Sequence, residues 1–145
     1  MIGIIITGHA KFASGLYSSL DLIAGTVENV YAVDFLEGQS VEDLEKNINE
    51  KISLLESNGV KDILILSDLL GGSPFKTSVE IKMKSNLNIE VMAGTNLGML
   101  IEVSMSKNFI EDLKDIVNMA INTGKDQVYN YVYTEKVEEE VSEGI

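Results

Sequence analysis

Two side chains stand where this chain could do chemistry. His9, the sole histidine, lies in the string IITGHAKF directly after a β-branched run. Asp68 lies in LILSDLLGGSPF, directly after a second apolar run. An imidazole beside a carboxylate is an activated pair. The carboxylate holds one ring nitrogen as N–H, fixes the tautomer and leaves the other nitrogen free as base, ligand or nucleophile. It also stabilises positive charge that grows on the ring during reaction. Gly71, Gly72 and Ser73, followed by the only proline, Pro74, add a seat for an anion. Two glycines let backbone approach a ligand closely, and a helix opening at Pro74, capped by Ser73, aims free N–H groups and its positive dipole end outward. A phosphoryl group suits that seat, with the Ser73 hydroxyl as a further donor. Plainer readings stay open at this point. A lone histidine is commonly an ordinary surface residue, aspartate is common after strands, and GGSP reads equally well as a strand-to-helix turn.

The elements that must position these groups alternate along the chain. Residues 2–7, 29–35, 62–66 and 88–93 are short apolar runs that read as strands, the first and third buried on both faces. Between them Leu16, Leu20 and Ile23 recur at helical spacing and end at Gly25. Ser40 reads as an N-cap before a stripe of Val41, Leu44, Ile48, Ile52 and Leu55 that ends at Gly59. A helix is expected over 96–105. Asn108 with Glu111 resembles a capping box opening a last helix, stopped by Gly124. Residues 128–132 are the last strand candidate, with Tyr129, Tyr131 and Tyr133 alternating as on an edge or a subunit contact. Met92, Met99, Met105 and Met119 read as core. The domain is expected over 1–134, with a solvated, glutamate-rich tail over 135–145.

A βαβαβαβ order predicts an α/β fold, an open three-layer sheet covered by helices on both faces. The flavodoxin-like parallel order 2-1-3-4 is expected, with the last strand antiparallel at an edge. Ligands of such sheets gather beyond the carboxyl ends of the strands, near the switch point between strands 1 and 3. His9 and Asp68 follow those two strands, so one crevice can hold both.

Composition removes several function classes. There are 23 acidic and 11 basic residues, a net charge of −12, which repels phosphate backbones and anionic lipid; no nucleic-acid partner is expected. With no cysteine and one histidine, thiolate chemistry, iron–sulfur clusters and multi-histidine metal sites are excluded. No Walker loop, GxGxxG or threonine-rich flavin loop occurs, so no metal and no cofactor is expected. Ser14 and Ser18 have no second histidine to serve them, which argues against a hydrolase triad. The amino terminus lacks the features of a secretory signal, and no run is long enough for a membrane span, so a soluble cytoplasmic protein is expected.

IITGHAKFASGL, SDLLGGSPF and VMAGTNLGMLIE together resemble the IIA domain of the mannose family of the bacterial sugar phosphotransferase system, over roughly residues 1–133. The resemblance implies that His9 accepts a phosphoryl group from the phosphohistidine carrier HPr and passes it to a IIB component. It implies that Asp68 holds the imidazole through the nitrogen that stays unphosphorylated, and that Ser73 lies near the phosphoryl site. It further implies a homodimer exchanging the strand at 128–132, and membrane components IIC and IID as indirect partners. Some relatives carry a fused IIB, but because this sequence ends soon after the domain, IIB is expected on a separate chain. Two positions depart from many relatives: Lys76 stands where asparagine is common and Ala10 where glycine is common. Neither removes a group from the expected chemistry. Three alternatives have distinct signatures: the phosphotransfer subunit of a dihydroxyacetone kinase, by its acceptor; a regulatory module phosphorylated on Asp68, by a base-labile acyl phosphate; and a flavin protein, by its colour. The transported sugar is not readable here, because this domain need not contact it.

Overall fold

Four strands run parallel: β1 (Ile2–His9), β2 (Val30–Phe35), β3 (Asp62–Ser67) and β4 (Asn88–Met92). They lie in the order β2-β1-β3-β4 in a computed structural model whose described residues are 1–135. Helices α1 (Phe12–Ala24), α2 (Val41–Ser57) and α3 (Ser73–Lys84) link successive strands, and α4 (Leu97–Ser106) and α5 (Leu113–Asp126) follow β4. The expected α/β class and strand order are what the chain adopts.

Strand periodicity sorts the core into two layers. Ile2, Ile4, Ile6, Leu64 and Leu66 face Leu20 of α1, Leu100 and Val103 of α4, and Ile116 of α5. Ile5, Ile63, Ile65 and Ile89 face Leu44, Ile48, Ile52 and Leu55 of α2, and Ile81 of α3. Each such side chain taken fully from water contributes about 1.5–3 kcal/mol, which is why β1 and β3 are nearly unbroken isoleucine and leucine. Such strands hold their carboxyl ends, and the residues after them, rigidly side by side.

Several local expectations change. Val41 is exposed, so the α2 stripe begins at Leu44. The α2 cap is a full capping box: Asp43 N–H donates to Ser40 Oγ and Ser40 N–H to Asp43 Oδ2. Helix α5 is capped by Asp112, whose Oδ1 accepts from Lys114 N–H; Asn108 and Glu111 lie in the turn before it. Gly124 does not stop α5 but lies inside it: a Cβ there would meet Met99 Cε at 2.5 Å, so glycine allows α4 and α5 to approach. Met105 is exposed rather than core. Residues 128–132 form no strand within this chain, and Tyr129, Tyr131 and Tyr133 are all exposed without alternation. The sheet ends at β4, and that segment does not pair with it. The tail expected at 135–145 lies, apart from Glu135, outside the described residues. Among the described residues no helix is long and apolar enough to cross a membrane.

Candidate phosphoryl-transfer site

β1 and β3 pair in register from Ile2 with Asp62 to Thr7 with Ser67, so the residues that follow them emerge together. Asp68 sits one step beyond β3, and its backbone is tied down from the loop after β4. Gly94 N–H donates to Asp68 O at 2.8 Å, while Thr95 Oγ1 donates to Ser67 O at 2.7 Å. Ser67 Oγ in turn donates to Met92 O at 2.6 Å. Gly94 and Thr95 therefore tie down the backbone that carries the carboxylate.

One carboxylate oxygen of Asp68 takes two hydrogen bonds from His9: the backbone N–H at 2.8 Å and ring Nδ1 at 2.7 Å. The other oxygen, Oδ1, accepts from Leu69 N–H at 2.7 Å. Burial opposes ionisation of Asp68, but the His9 and Leu69 donors outweigh it and hold the carboxyl below its ordinary value. An ionised carboxylate can only accept, so Nδ1 is the protonated nitrogen of the ring. The His9 side chain is 47% exposed and that of Asp68 only 10%, so the carboxylate is the fixed partner and the ring faces solvent.

Gly71 and Gly72 differ in what they do. Gly71 has φ +80°, a left-handed turn residue with open space around it. Gly72 has φ −72° and ψ 167°, ordinary extended backbone, yet a Cβ there would lie 3.0 Å from His9 Cε1. Its N–H already donates to Leu69 O at 3.1 Å, so Gly72 offers the ring room rather than a donor. Gly72, not Ser73, is the N-cap of α3; Ser73 is the first helical residue and Pro74 the second. The cause is that Gly72 carbonyl accepts the first helical bond, from Lys76 N–H at 2.9 Å.

The helix N-termini here are unequal. Ser40 caps α2, Asn96 caps α4 and Asp112 caps α5 with a side-chain oxygen. At α1, Asp34 Oδ1 reaches across from β2 to accept Ser14 N–H at 2.9 Å. Neither α1 nor α3 is capped by its own N-cap side chain, but at α3 no side-chain oxygen takes up a first-turn N–H, and its first turn carries no acidic residue. Its start lies beside the His9 ring.

Sequence reasoning passed over Asp34 and Phe35, both at the carboxyl end of β2. Phe35 pairs with His9 in register, accepts Ala10 N–H on its carbonyl at 2.7 Å, and sets its ring edge-on to the imidazole at a centroid distance of 6.1 Å. Ala10 has φ +49°, so alanine occupies a left-handed position here. The same strand-end rule that singled out His9 and Asp68 covers β2, which borders β1 on its other side.

Comparison with known proteins gives the chain a family. The family EIIA-man, described as PTS system fructose IIA component, matches residues 3–121. The mannose-specific EIIAB component of Escherichia coli strain K12 is 32% identical over 127 residues, covering 88% of this chain and 38% of that protein. The chain thus spans well under half the length of that two-part relative. The sorbose-specific EIIA component of Lacticaseibacillus casei is 32% identical over 105 residues, 72% of this chain and 73% of that protein. The crystal structure of phosphotransferase system component EIIA from Streptococcus agalactiae superposes with TM-score 0.82 at 35% identity, over 90% of this chain and 97% of that one. By motif, strand order and similarity along nearly its whole described length, the chain belongs to the EIIA-man family of phosphotransferase-system IIA components of sugar transporters.

Proposed function

We propose that this chain relays a phosphoryl group from phospho-HPr to a IIB component, carrying it on His9 Nε2. The observation that carries the reading is the 2.7 Å contact of Nδ1 with Asp68 on an exposed ring. With Nδ1 holding the proton, the lone pair belongs to Nε2, which has no hydrogen-bond partner among the described residues.

The step is an in-line exchange between two imidazoles. The Nε2 lone pair forms a bond to phosphorus as the N–P bond to the HPr imidazole breaks, and the electron pair returns to that leaving ring. The His9 ring gains positive charge as its bond forms, and the ionised Asp68 offsets it through Nδ1–H. The phosphoryl oxygens meet the uncapped start of α3, where the N–H groups of Ser73 and Phe75 and the Ser73 hydroxyl are the donors. Donor and acceptor are similar nitrogens, so the exchange is nearly balanced and runs onward to IIB by the same route reversed. A loose transition state asks mainly for alignment and charge stabilisation, which these groups supply.

The same reading includes a homodimer. β4 is an edge strand, and beside it lies an apolar groove of about 580 Å³ lined by Leu69, Leu70, Phe75, Met92 and Ile121. The exposed tyrosine segment at 128–133 of a second subunit is its occupant.

The test is incubation with phosphoenolpyruvate, enzyme I and HPr, followed by mass spectrometry. The expected product carries one phosphoryl group on His9, labile in acid and stable in base. An unmodified protein, or equal labelling of the His9→Ala variant, would refute the relay.

A further inference from the structure

Three walls surround the His9 ring, and one of them has no role in the chemistry described so far. On the β3 side Asp68 holds Nδ1 at 2.7 Å. On the α3 side Gly72 leaves just enough room for Cε1. On the β2 side stands Phe35, its ring inclined 60° to the imidazole at 6.1 Å between centroids. A hydrogen bond at one ring atom leaves the plane of an exposed imidazole free to rock about that bond. A second contact, from the opposite side, is what removes this freedom. Phe35 is suited to be that contact because it is itself fixed: its ring is partly buried against the α2–α3 side of the core and its carbonyl is bonded to Ala10 N–H. That bond also holds the residue following His9 in its left-handed conformation, so Phe35 restrains both the ring and the backbone that carries it.

From this geometry we infer that Phe35 is a positioning residue, whose ring holds the His9 imidazole in one orientation with Nε2 directed at the incoming phosphorus. Its part in the reaction runs only through His9. The inference rests on the relay reading for its rate consequence but not for its structural one. Edge-on aromatic pairs are worth enough that losing one should slow a geometry-limited step about threefold to tenfold.

The experiment compares Phe35→Leu, which removes the ring but keeps apolar bulk, with Phe35→Tyr, which keeps the ring. The readouts are the ¹⁵N and ring-proton resonances of the sole histidine and the rate at which phospho-HPr labels it. The wild type and Phe35→Tyr are expected to show one set of His9 signals with a protonated Nδ1. Phe35→Leu is expected to show exchange-broadened or averaged signals and labelling about threefold to tenfold slower. Phe35→Met, with an unbranched apolar chain, answers the same question if the leucine variant does not fold. Wild-type His9 resonances and wild-type labelling in the folded leucine or methionine variant would overturn the inference. If the wild type itself accepts no phosphoryl group, the relay falls, while the resonances still decide whether Phe35 orders the ring.

Discussion

Asp68 Oδ2 binds His9 twice, through the backbone N–H at 2.8 Å and through ring Nδ1 at 2.7 Å, so a single oxygen sets both where the residue sits and which nitrogen is protonated. Asp68→Ala removes both restraints and the counter-charge. Hydrogen bonds to charged groups are worth ~1.5–3 kcal/mol, so phosphoryl transfer should slow roughly tenfold to 150-fold. The core residues of β1 and β3 are untouched, so the circular dichroism spectrum should stay that of the wild type. Quench-flow labelling by phospho-HPr measures the rate; an unchanged rate would show that Asp68 is merely a turn residue.

The two glycines before α3 should fail in different ways. Gly71→Ala places a side chain at φ +80°, where the left-handed penalty is roughly 1–2 kcal/mol, with nothing nearby to strike. Urea unfolding should register that loss, with labelling of His9 little altered. Gly72→Ala adds no backbone strain at φ −72°, but its Cβ would press on His9 Cε1 from 3.0 Å. Labelling should fall several-fold at near wild-type stability. The reverse pattern would contradict the division of roles.

Asp68 also predicts a dependence of stability on acid. Its carboxyl is held below the ordinary value of 3.8 in the folded chain, so it binds its proton less readily folded than unfolded. The stabilisation is therefore full above about pH 4 and is lost as pH falls through the lower, folded value. Denaturant unfolding of the wild type and Asp68→Asn should differ at neutral pH and converge below that point. A gap that stays constant to pH 3 would count against the ionised pair.

Exposed tyrosines at the carboxyl-terminal end should matter for assembly rather than for folding. Replacing Tyr129, Tyr131 and Tyr133 together by serine removes three side chains each more than 70% exposed in the single chain, so the melting temperature of the monomeric fold has little reason to change. Sedimentation analysis should show a dimer for the wild type and a weakened or lost dimer for the triple variant. A wild-type monomer, or a dimer indifferent to the change, would set aside strand exchange.

Much of this molecule was legible in advance. The nearly unbroken isoleucine and leucine runs of β1 and β3 read as strands buried on both faces, and the intervening stripes, with Ser40 as a start signal and Gly25 as a stop signal, read as helices covering them. Right-handed crossovers then leave few sheet orders, and His9 and Asp68 fell at adjacent strand ends under the observed one. What failed were local signals that had a rival. Asn108 and Glu111 have capping-box spacing, but Asp112 is the residue that reaches the first helical N–H. Gly124 carries the same symbol as a helix stop, and only the neighbouring Met99 shows why it is helical.

The primary sequence by itself determined the strand and helix pattern, the layer architecture and the candidate imidazole, because hydrophobic period and residue chemistry are written one position at a time. Tertiary structure alone decided that Nδ1 and the backbone of His9 share one oxygen, that Gly72 yields space rather than a donor, and that Phe35 forms the third wall. Those relations join residues from β1, β2, β3 and α3, and a contact between distant segments exists only once parallel strands have set their register.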